Sequence, residues 1–131
     1  MRSHGGEQKR PNLHIEDMAE VYTWLLDMPA EMIAGEVFNV GYENHTLNEL
    51  AQIVQETVAD EVLIENMPTN DLRSYHISSE KIKNSLGFYP KHSIHNAVYD
   101  LSMAFASGLL PNSMTDSKYY NIKRMQEVNL K

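Results

Sequence analysis

The 131-residue chain contains no cysteine, and this absence removes several kinds of chemistry at once. Disulfide bonds, thiolate zinc sites and cysteine nucleophiles are all excluded. A chain without cysteine also fits a reducing cytoplasm, which is the compartment we expect. Its apolar runs are only a few residues long and too short to span a bilayer, and its first residues lack the apolar segment of a secretory signal.

Clustered positive charge is also scarce. The formal net charge is -7, and basic residues adjoin only at Lys9-Arg10 and Lys123-Arg124. Proteins that bind DNA or RNA usually present a basic surface, so we expect no nucleic-acid partner. One or two well-placed arginines nevertheless suffice to bind a single phosphate-bearing ligand.

Glycine-rich loops and nucleophile motifs are missing as well. The six glycines are scattered, and Gly5-Gly6 precede no strand-to-helix unit. A phosphate cradle of the Walker or dinucleotide type is therefore not encoded. The pattern Gly-x-Ser-x-Gly does not occur, which excludes a nucleophile elbow. We accordingly assign no catalytic residue and no cofactor-binding residue to this chain.

Hydrophobic periodicity predicts an α+β fold, mostly helical with a few short strands. In the first helix, Asp17 is a candidate N-cap and Pro29 limits the end. The apolar positions of this helix follow i, i+3, i+4, i+7 spacing and are Ile15, Met18, Ala19, Tyr22, Leu25 and Leu26. We expect this face to turn toward a core.

Local signals predict the remaining elements. Thr46 and Glu49 have the spacing of a capping box, in which each side chain binds the other residue's amide, ahead of a helix that reaches Val58. Further helices are predicted from Ser78 or Ser79 to Gly87, from Ser93 to Gly108, and within residues 111–131. Strands are predicted at residues 36–41 and 61–65, with an extended segment at residues 73–77.

The chain is long enough for one domain with a modest core. Residues 1–10 are polar and contain glycine, and we interpret them as a flexible lead-in or a tag remnant. Residues 11–131 are predicted to form a single unit.

Several short motifs occur in a characteristic order along the chain. They are RPNLHIED at residues 10–17, NVG at 39–41, RSYHIS at 73–78, KI at 81–82 and LGF at 86–88. This order resembles the C-terminal, substrate-binding part of the extended short-chain dehydrogenases/reductases, the NAD-dependent sugar-nucleotide epimerases and dehydratases. No single motif is specific, but their order and spacing are. The N-terminal Rossmann half of that family, with its glycine loop, has no counterpart in the sequence.

The resemblance implies a substrate domain that closes over a nucleotide-sugar held against a Rossmann domain carrying NAD. It also implies that Arg10 and Arg73 contact the diphosphate of the ligand. A guanidinium group suits this role because it is planar, always charged and able to bind two oxygens. The alternative interpretation is that Arg10 is solvated near a frayed terminus and that Arg73 pairs with Asp71.

The catalytic Tyr-x-x-x-Lys pair of the resembled family has only one match here. Tyr119 and Lys123 have the correct spacing, but they follow the substrate-domain motifs, where the family does not keep its active site. We interpret this match as a coincidence, and we expect the chain alone to be inactive.

Six histidines raise the question of a metal site. His92 and His95 could face the same way on one helix, but no further ligand set is recognisable around them. His14 stands just before a helix, where local hydrogen bonding explains it. We therefore predict no metal site.

Three hypotheses remain open from the sequence. The chain is a non-catalytic substrate-binding module, or a fragment of a complete NAD-dependent enzyme that needs its N-terminal half, or an oligomerising interaction module that kept the fold. A substrate domain separated from its Rossmann partner exposes apolar surface, for which Trp24, Met28 and Met32 are candidates. The expected partners are a nucleotide-sugar, a Rossmann-domain chain and further copies of this chain.

Overall fold

The chain forms an α+β structure in which short strands alternate with helices. The computed structural model describes residues 1–58, 62–70 and 73–129. In chain order the elements are β1 (Arg2–His4), β2 (Lys9–Asn12), α1 (Ile15–Leu26), α2 (Ala30–Ile33), β3 (Glu43–Thr46), α3 (Leu47–Val58), β4 (Glu65–Met67), α4 (Glu80–Leu86), α5 (Ile94–Ala106), a 3₁₀ turn (Ser117–Tyr119) and α6 (Asn121–Glu127). The predicted fold class is confirmed, as are the helices that became α1, α3, α4 and α5.

The strands pair into two small sheets. Strand β2 lies antiparallel to β3, with Arg10 opposite His45. Strand β1 lies parallel to β4, with Ser3 opposite Asn66. Residues 1–10 therefore contain regular structure where the sequence suggested a flexible lead-in. The pairing partner of β1 is more than sixty residues away, so a local reading of polar residues could not reveal it.

Helix α1 turns a different face to the core from the one that periodicity suggested. The core cluster consists of Val21, Ile82 and Phe88, against which these partly buried side chains pack: Met18, Trp24, Leu25, Phe38, Val40 and Leu86. Ile15 and Tyr22, both predicted to be buried, are 74% and 66% exposed. Trp24, predicted as exposed surface, lies 5.6 Å from the Phe88 ring. The predicted face was correct for Met18 and Leu25 and wrong for Ile15 and Tyr22, because buried Asp17 and Val21 set the inward direction.

Helix α3 begins with the predicted capping box. The amide of Glu49 donates to the Thr46 hydroxyl at 3.1 Å, and the amide of Thr46 donates to the Glu49 carboxylate at 2.7 Å. This exchange satisfies two amides that the first helical turn leaves without partners. Donation from the Thr46 backbone and side chain lowers the pKa of the Glu49 carboxyl below its usual value.

Helix α4 supplies the most deeply buried apolar side chain. Ile82 is completely buried in the core. The helix ends at Gly87, whose φ of 79° is left-handed, and the Gly87 amide donates to Lys83 O. A residue without a Cβ adopts this conformation at little cost, so the glycine predicted as a stop signal ends the helix as expected.

Three predicted extended segments are not strands at the predicted positions. Residues 36–41 and 73–77 form no ladder, and the strand expected at 61–65 is found at Glu65–Met67, with residue 61 outside the described residues. Side chains rather than a neighbouring strand bind the backbone of the first segment. The Gly41 amide donates to Ser79 Oγ at 2.8 Å, and Ser79 Oγ donates to Gly41 O at 2.9 Å. Tertiary hydrogen bonds thus replace the ladder that local sequence suggested.

The chain divides into two compact units, Met1–Asp100 and Leu101–Lys131. The boundary lies inside α5, whereas the sequence suggested one unit over residues 11–131. In the second unit, α6 and the 3₁₀ turn lie within the segment where a terminal helix was predicted. Among the described residues, no helix is long and apolar enough to cross a membrane.

Candidate functional site

Arg10 and Arg73, the two predicted ligand-binding residues, lie beside each other in the first unit. Arg10 Nη1 donates to the backbone carbonyl of Arg73 at 2.5 Å and to Lys9 O at 2.9 Å. The Arg10 guanidinium also lies over the Tyr75 ring, 5.2 Å from its centre. Strand β2 positions the first arginine, and the loop before α4 positions the second.

Backbone contacts hold that loop against β2. The Lys9 amide donates to Ser74 Oγ at 3.0 Å, and the Tyr75 amide donates to Lys9 O at 3.3 Å. Arg73 is exposed, whereas Arg10 is partly buried. Arg10 therefore is not solvated at a frayed end, because it is built into a paired strand. The alternative pairing of Arg73 with Asp71 falls on a residue outside the described residues.

An open cavity of about 390 Å³ begins next to these arginines. Its lining residues are Gly5, Gly6, Glu7, Gln8, Thr69 and Ser74. Ser74 links the cavity to the arginines, because it directly follows Arg73 and accepts the Lys9 amide. The Arg10 guanidinium and the exposed Arg73 side chain are groups of the kind that binds a multiply charged oxyanion.

A second polar cluster lies at the start of α1 and was not foreseen from the sequence. Asp17, predicted as the N-cap, is completely buried inside the first turn instead. Its carboxylate accepts the amides of Lys91 and His92, each at 3.0 Å, and contacts His92 Nδ1 at 2.9 Å. The cap is His14, whose Nδ1 accepts the Glu16 amide at 3.2 Å. Asp17 therefore ties α1 to the segment that leads into α5.

The charge states of this pair follow from its contacts. Burial alone raises the pKa of the Asp17 carboxyl, but the two donated amides and the His92 imidazole outweigh it and bring the pKa below the usual value. The hydrogen bond to Asp17 raises the pKa of His92, and the negative charges of Asp17, Glu16 and Asp100 act in the same direction against desolvation. The cluster thus favours a carboxylate next to an imidazolium.

Two further carboxylates surround the histidines. The rings of His14 and His92 lie 4.8 Å apart, centre to centre. His92 Nε2 is 3.4 Å from Glu16, and His14 Nε2 is 3.5 Å from Asp100. His92 precedes α5, whereas His95 lies in it, so these two histidines do not share a helix face. The sequence His14-x-Glu16-Asp17 could have indicated a polar cluster at the start of α1. Its partner, His92, is more than seventy residues away, so the local sequence does not reveal the contact.

The Tyr119 and Lys123 spacing is not realised as a pair. Lys123 Nζ lies over the Tyr120 ring at 4.4 Å, whereas Tyr119 has Lys118 over its ring at 4.9 Å. Tyr119 belongs to the 3₁₀ turn and Lys123 to α6. The geometry agrees with the interpretation that this spacing is coincidental.

The chain was compared with known protein families and sequences. Residues 2–41 match the profile of the NAD dependent epimerase/dehydratase family. This segment contains the first arginine motif and the NVG motif, so the resemblance found in the sequence is confirmed. No curated protein sequence matches the chain.

Solved structures share the fold over most of the chain. UDP-glucose 4-epimerase from Thermotoga maritima, solved with UDP-glucose, has a TM-score of 0.71 at 23% identity over 83% of this chain and 35% of its own length. dTDP-glucose 4,6-dehydratase from Bacillus anthracis, solved with NAD, has a TM-score of 0.66 at 21% identity over 86% of this chain and 35% of its own. L-threonine dehydrogenase from Phytophthora infestans has a TM-score of 0.70 at 11% identity over 81% and 37%. The chain thus spans about a third of the length of these enzymes.

Proposed function

We propose that this chain, which is related to the NAD-dependent epimerase/dehydratase family, is a substrate-binding unit for a nucleoside diphosphate sugar. The observation that carries the proposal is the contact of Arg10 with the backbone of Arg73. Two arginines that are 63 positions apart in the chain are neighbours, and Ser74, which follows the second of them, lines a cavity. The names of two similar structures, an epimerase with UDP-glucose and a dTDP-glucose dehydratase, support this ligand class.

The diphosphate is the part of the ligand that the arginines recognise in this proposal. A guanidinium group donates two parallel hydrogen bonds to oxygens of one phosphate, which a lysine ammonium cannot do. The Tyr75 ring beneath Arg10 limits the orientations of its guanidinium, so less side-chain entropy is lost on binding. The sugar or the base is expected to enter the cavity beside Ser74.

Catalysis and NAD binding belong, in this proposal, to a Rossmann half that these 131 residues do not include. The chain has no glycine-rich phosphate loop, and its single Tyr-x-x-x-Lys spacing is not realised as a pair. The chain alone is therefore expected to bind a nucleotide-sugar weakly and to leave it chemically unchanged. We propose the cytoplasm as its compartment, in agreement with the absence of cysteine.

Titration calorimetry with UDP-glucose and dTDP-glucose tests the proposal. We expect weak binding of at least one of them, which Arg10→Lys and Arg73→Lys should each reduce because lysine keeps the charge but loses the fork. Arg124→Lys is the matched control, since Arg124 pairs with Glu127 in the second unit. L-threonine, the substrate named for one structural neighbour, serves as the control ligand. Unchanged affinity in both lysine variants would refute the assigned roles.

The inactivity of the isolated chain is tested separately. Calorimetry with NAD should give no binding, and incubation with nucleotide-sugars and NAD should give no product. NAD binding requires a pyrophosphate cradle and turnover requires proton-transfer groups, and we assign neither to these residues. Micromolar NAD affinity or measurable turnover would contradict the proposal.

A second candidate function, association with another chain, is favoured by the exposed apolar residues of α1. Ile15, Tyr22 and Leu26 are 74%, 66% and 85% exposed, and they recur along one side of the helix. The expected partner is a Rossmann domain or a second copy of this chain. An interface between domains buries roughly 600–1,500 Å², and a substrate domain without its Rossmann domain exposes this surface until a partner covers it. Light scattering over a dilution series should reveal self-association that Leu26→Gln weakens. If the chain stays monomeric at high concentration, self-association is refuted. Association with a Rossmann domain would then be tested by mixing the two proteins.

A further inference from the structure

The His14–His92 cluster has the composition of a transition-metal site. One ligand atom from each of His14, Glu16 and His92 lies within 4.8 Å of the others. His14 is buried, His92 is partly buried and Glu16 is exposed, so the cluster is anchored on one side and open to solvent on the other. These residues lie in α1, just before it and just before α5, all within the first unit.

Asp17 orients His92 as a ligand. Its buried carboxylate contacts His92 Nδ1 at 2.9 Å and is itself held by the amides of Lys91 and His92. With Nδ1 directed at Asp17, Nε2 is directed at Glu16, 3.4 Å away, and a metal ion that binds Nε2 replaces the proton that the imidazolium carries there. A carboxylate bound to the remote nitrogen of a metal-binding histidine is the usual supporting contact in zinc sites, because it fixes the ring and increases its basicity.

One pair of the proposed ligands already has the separation found in a coordination shell, and the third ligand atom lies within 4.8 Å of both. Ligands about 2.0–2.1 Å from a tetrahedral zinc ion lie roughly 3.3–3.4 Å from one another. His92 Nε2 to Glu16 Oε2 is 3.4 Å, and His14 Nε2 to Asp100 Oδ2 is 3.5 Å.

His14 must change one hydrogen bond to take part. Its Nδ1 accepts the Glu16 amide, so in the metal-free protein the imidazole proton of the neutral ring lies on Nε2. Binding through Nε2 requires the other neutral tautomer, in which the proton lies on Nδ1, so Nδ1 no longer accepts the Glu16 amide and the capping bond at the start of α1 is released. The capping bond, at 3.2 Å, is at the long end of the normal range, which limits what its loss costs.

We propose that His14, Glu16 and His92 bind a divalent transition-metal ion, with zinc as the ion whose ligand preferences fit best. Two imidazoles and a carboxylate suit zinc and its neighbours in the first row, whereas magnesium and calcium prefer oxygen ligands alone. The sequence suggested no metal site because no ligand set was recognisable around His92 and His95, and the proximity of His14 to His92 is visible only in the structure. The site does not depend on Arg10 and Arg73.

Zinc binding to the full chain, after treatment with EDTA and desalting, tests the proposal. Competition with a chromogenic zinc indicator should give one site per chain, and Co²⁺ should show the intense visible absorption of a tetrahedral complex. Saturating zinc should raise the midpoint of thermal unfolding, because the ion binds the folded state. Glu16→Gln and His92→Gln should each weaken zinc binding by roughly tenfold or more.

Two matched substitutions serve as controls. His95→Gln and Glu31→Gln replace exposed residues of the same types outside the cluster, and both should keep the parent affinity. Glu16 is largely exposed, so Glu16→Gln should fold even if His92→Gln does not. No zinc binding by the parent chain, or equal affinity in the parent and in Glu16→Gln, would overturn the proposal.

Discussion

The two units of the chain differ in how their structure is held. Residues 1–100 contain the apolar core and hydrogen bonds between distant residues, such as those joining Asp17 to His92 and Arg10 to Arg73. Within residues 101–129, no side chain is buried, and the described hydrogen bonds join residues no more than ten apart. The first unit therefore depends on tertiary packing, and the second depends on local bonding.

Because of this difference, we expect the same substitution to change the free energy of unfolding more in the first unit than in the second. A side chain in the first unit can be surrounded on all sides, so its removal leaves a cavity or an unpaired group. A side chain in the second unit keeps its contact with water whatever happens to its neighbours. Pairs of the same substitution, one in each unit, measure the contrast directly.

The largest contrast is expected for isoleucine. Ile82 is completely buried and Ile122 is 74% exposed. Ile82→Ala should lower the free energy of unfolding by about 3–4 kcal/mol, through lost transfer free energy and a residual cavity. Ile122→Ala should change it by less than about 0.5 kcal/mol. Urea unfolding followed by Trp24 fluorescence for the first unit and by circular dichroism for the whole chain measures both, and equal effects would show that the second unit also packs its apolar side chains.

Aspartate should give the next largest contrast. Asp17 accepts two amides inside the protein, whereas Asp116 accepts the Lys118 amide near the surface. Asp17→Asn turns an NH₂ group toward one of these donors and should cost about 2–3 kcal/mol. Asp116→Asn retains a good capping residue and should cost much less. The same unfolding experiment compares them, with EDTA present, and a larger loss in Asp116→Asn would contradict the assignment.

The smallest effect is the loss of stability at low pH that results from protonating one helix-capping carboxyl. We expect this loss to be similar in the two units. The Thr46 amide lowers the pKa of Glu49, and the Lys118 amide lowers the pKa of Asp116. A carboxyl whose pKa is lower in the folded chain adds stability above its unfolded pKa, about 4 for both types, and loses it as the pH falls through the folded pKa.

Glu49→Gln and Asp116→Asn should therefore each slightly flatten the fall of stability below about pH 4. Unfolding midpoints measured from pH 6 down to pH 2 test this, with Glu31→Gln as a control for an exposed glutamate to which no cap is assigned. A steep change in either variant would indicate a larger role than helix capping.

Local signals predicted the helices well because their causes are local. The Thr46–Glu49 box, Gly87 and Gly108 act within one or two helical turns, and α3, α4 and α5 lie within the predicted spans. The strand predicted at residues 36–41 was wrong because its backbone binds Ser79 instead of a neighbouring strand. Arg10 and Arg73 came from family resemblance, and their contact could not have been derived from spacing.

The local sequence was enough to predict where α3 starts and where α4 ends, because a capping box and a left-handed glycine depend on residues only a few positions apart. It also excluded thiol chemistry and an internal dinucleotide cradle, which need residue types or motifs that the chain does not have. Only the tertiary structure decided which face of α1 is buried and that Asp17 meets His92. The Asp17–His92 contact joins residues 75 positions apart, and its free energy depends on burial that no local pattern encodes.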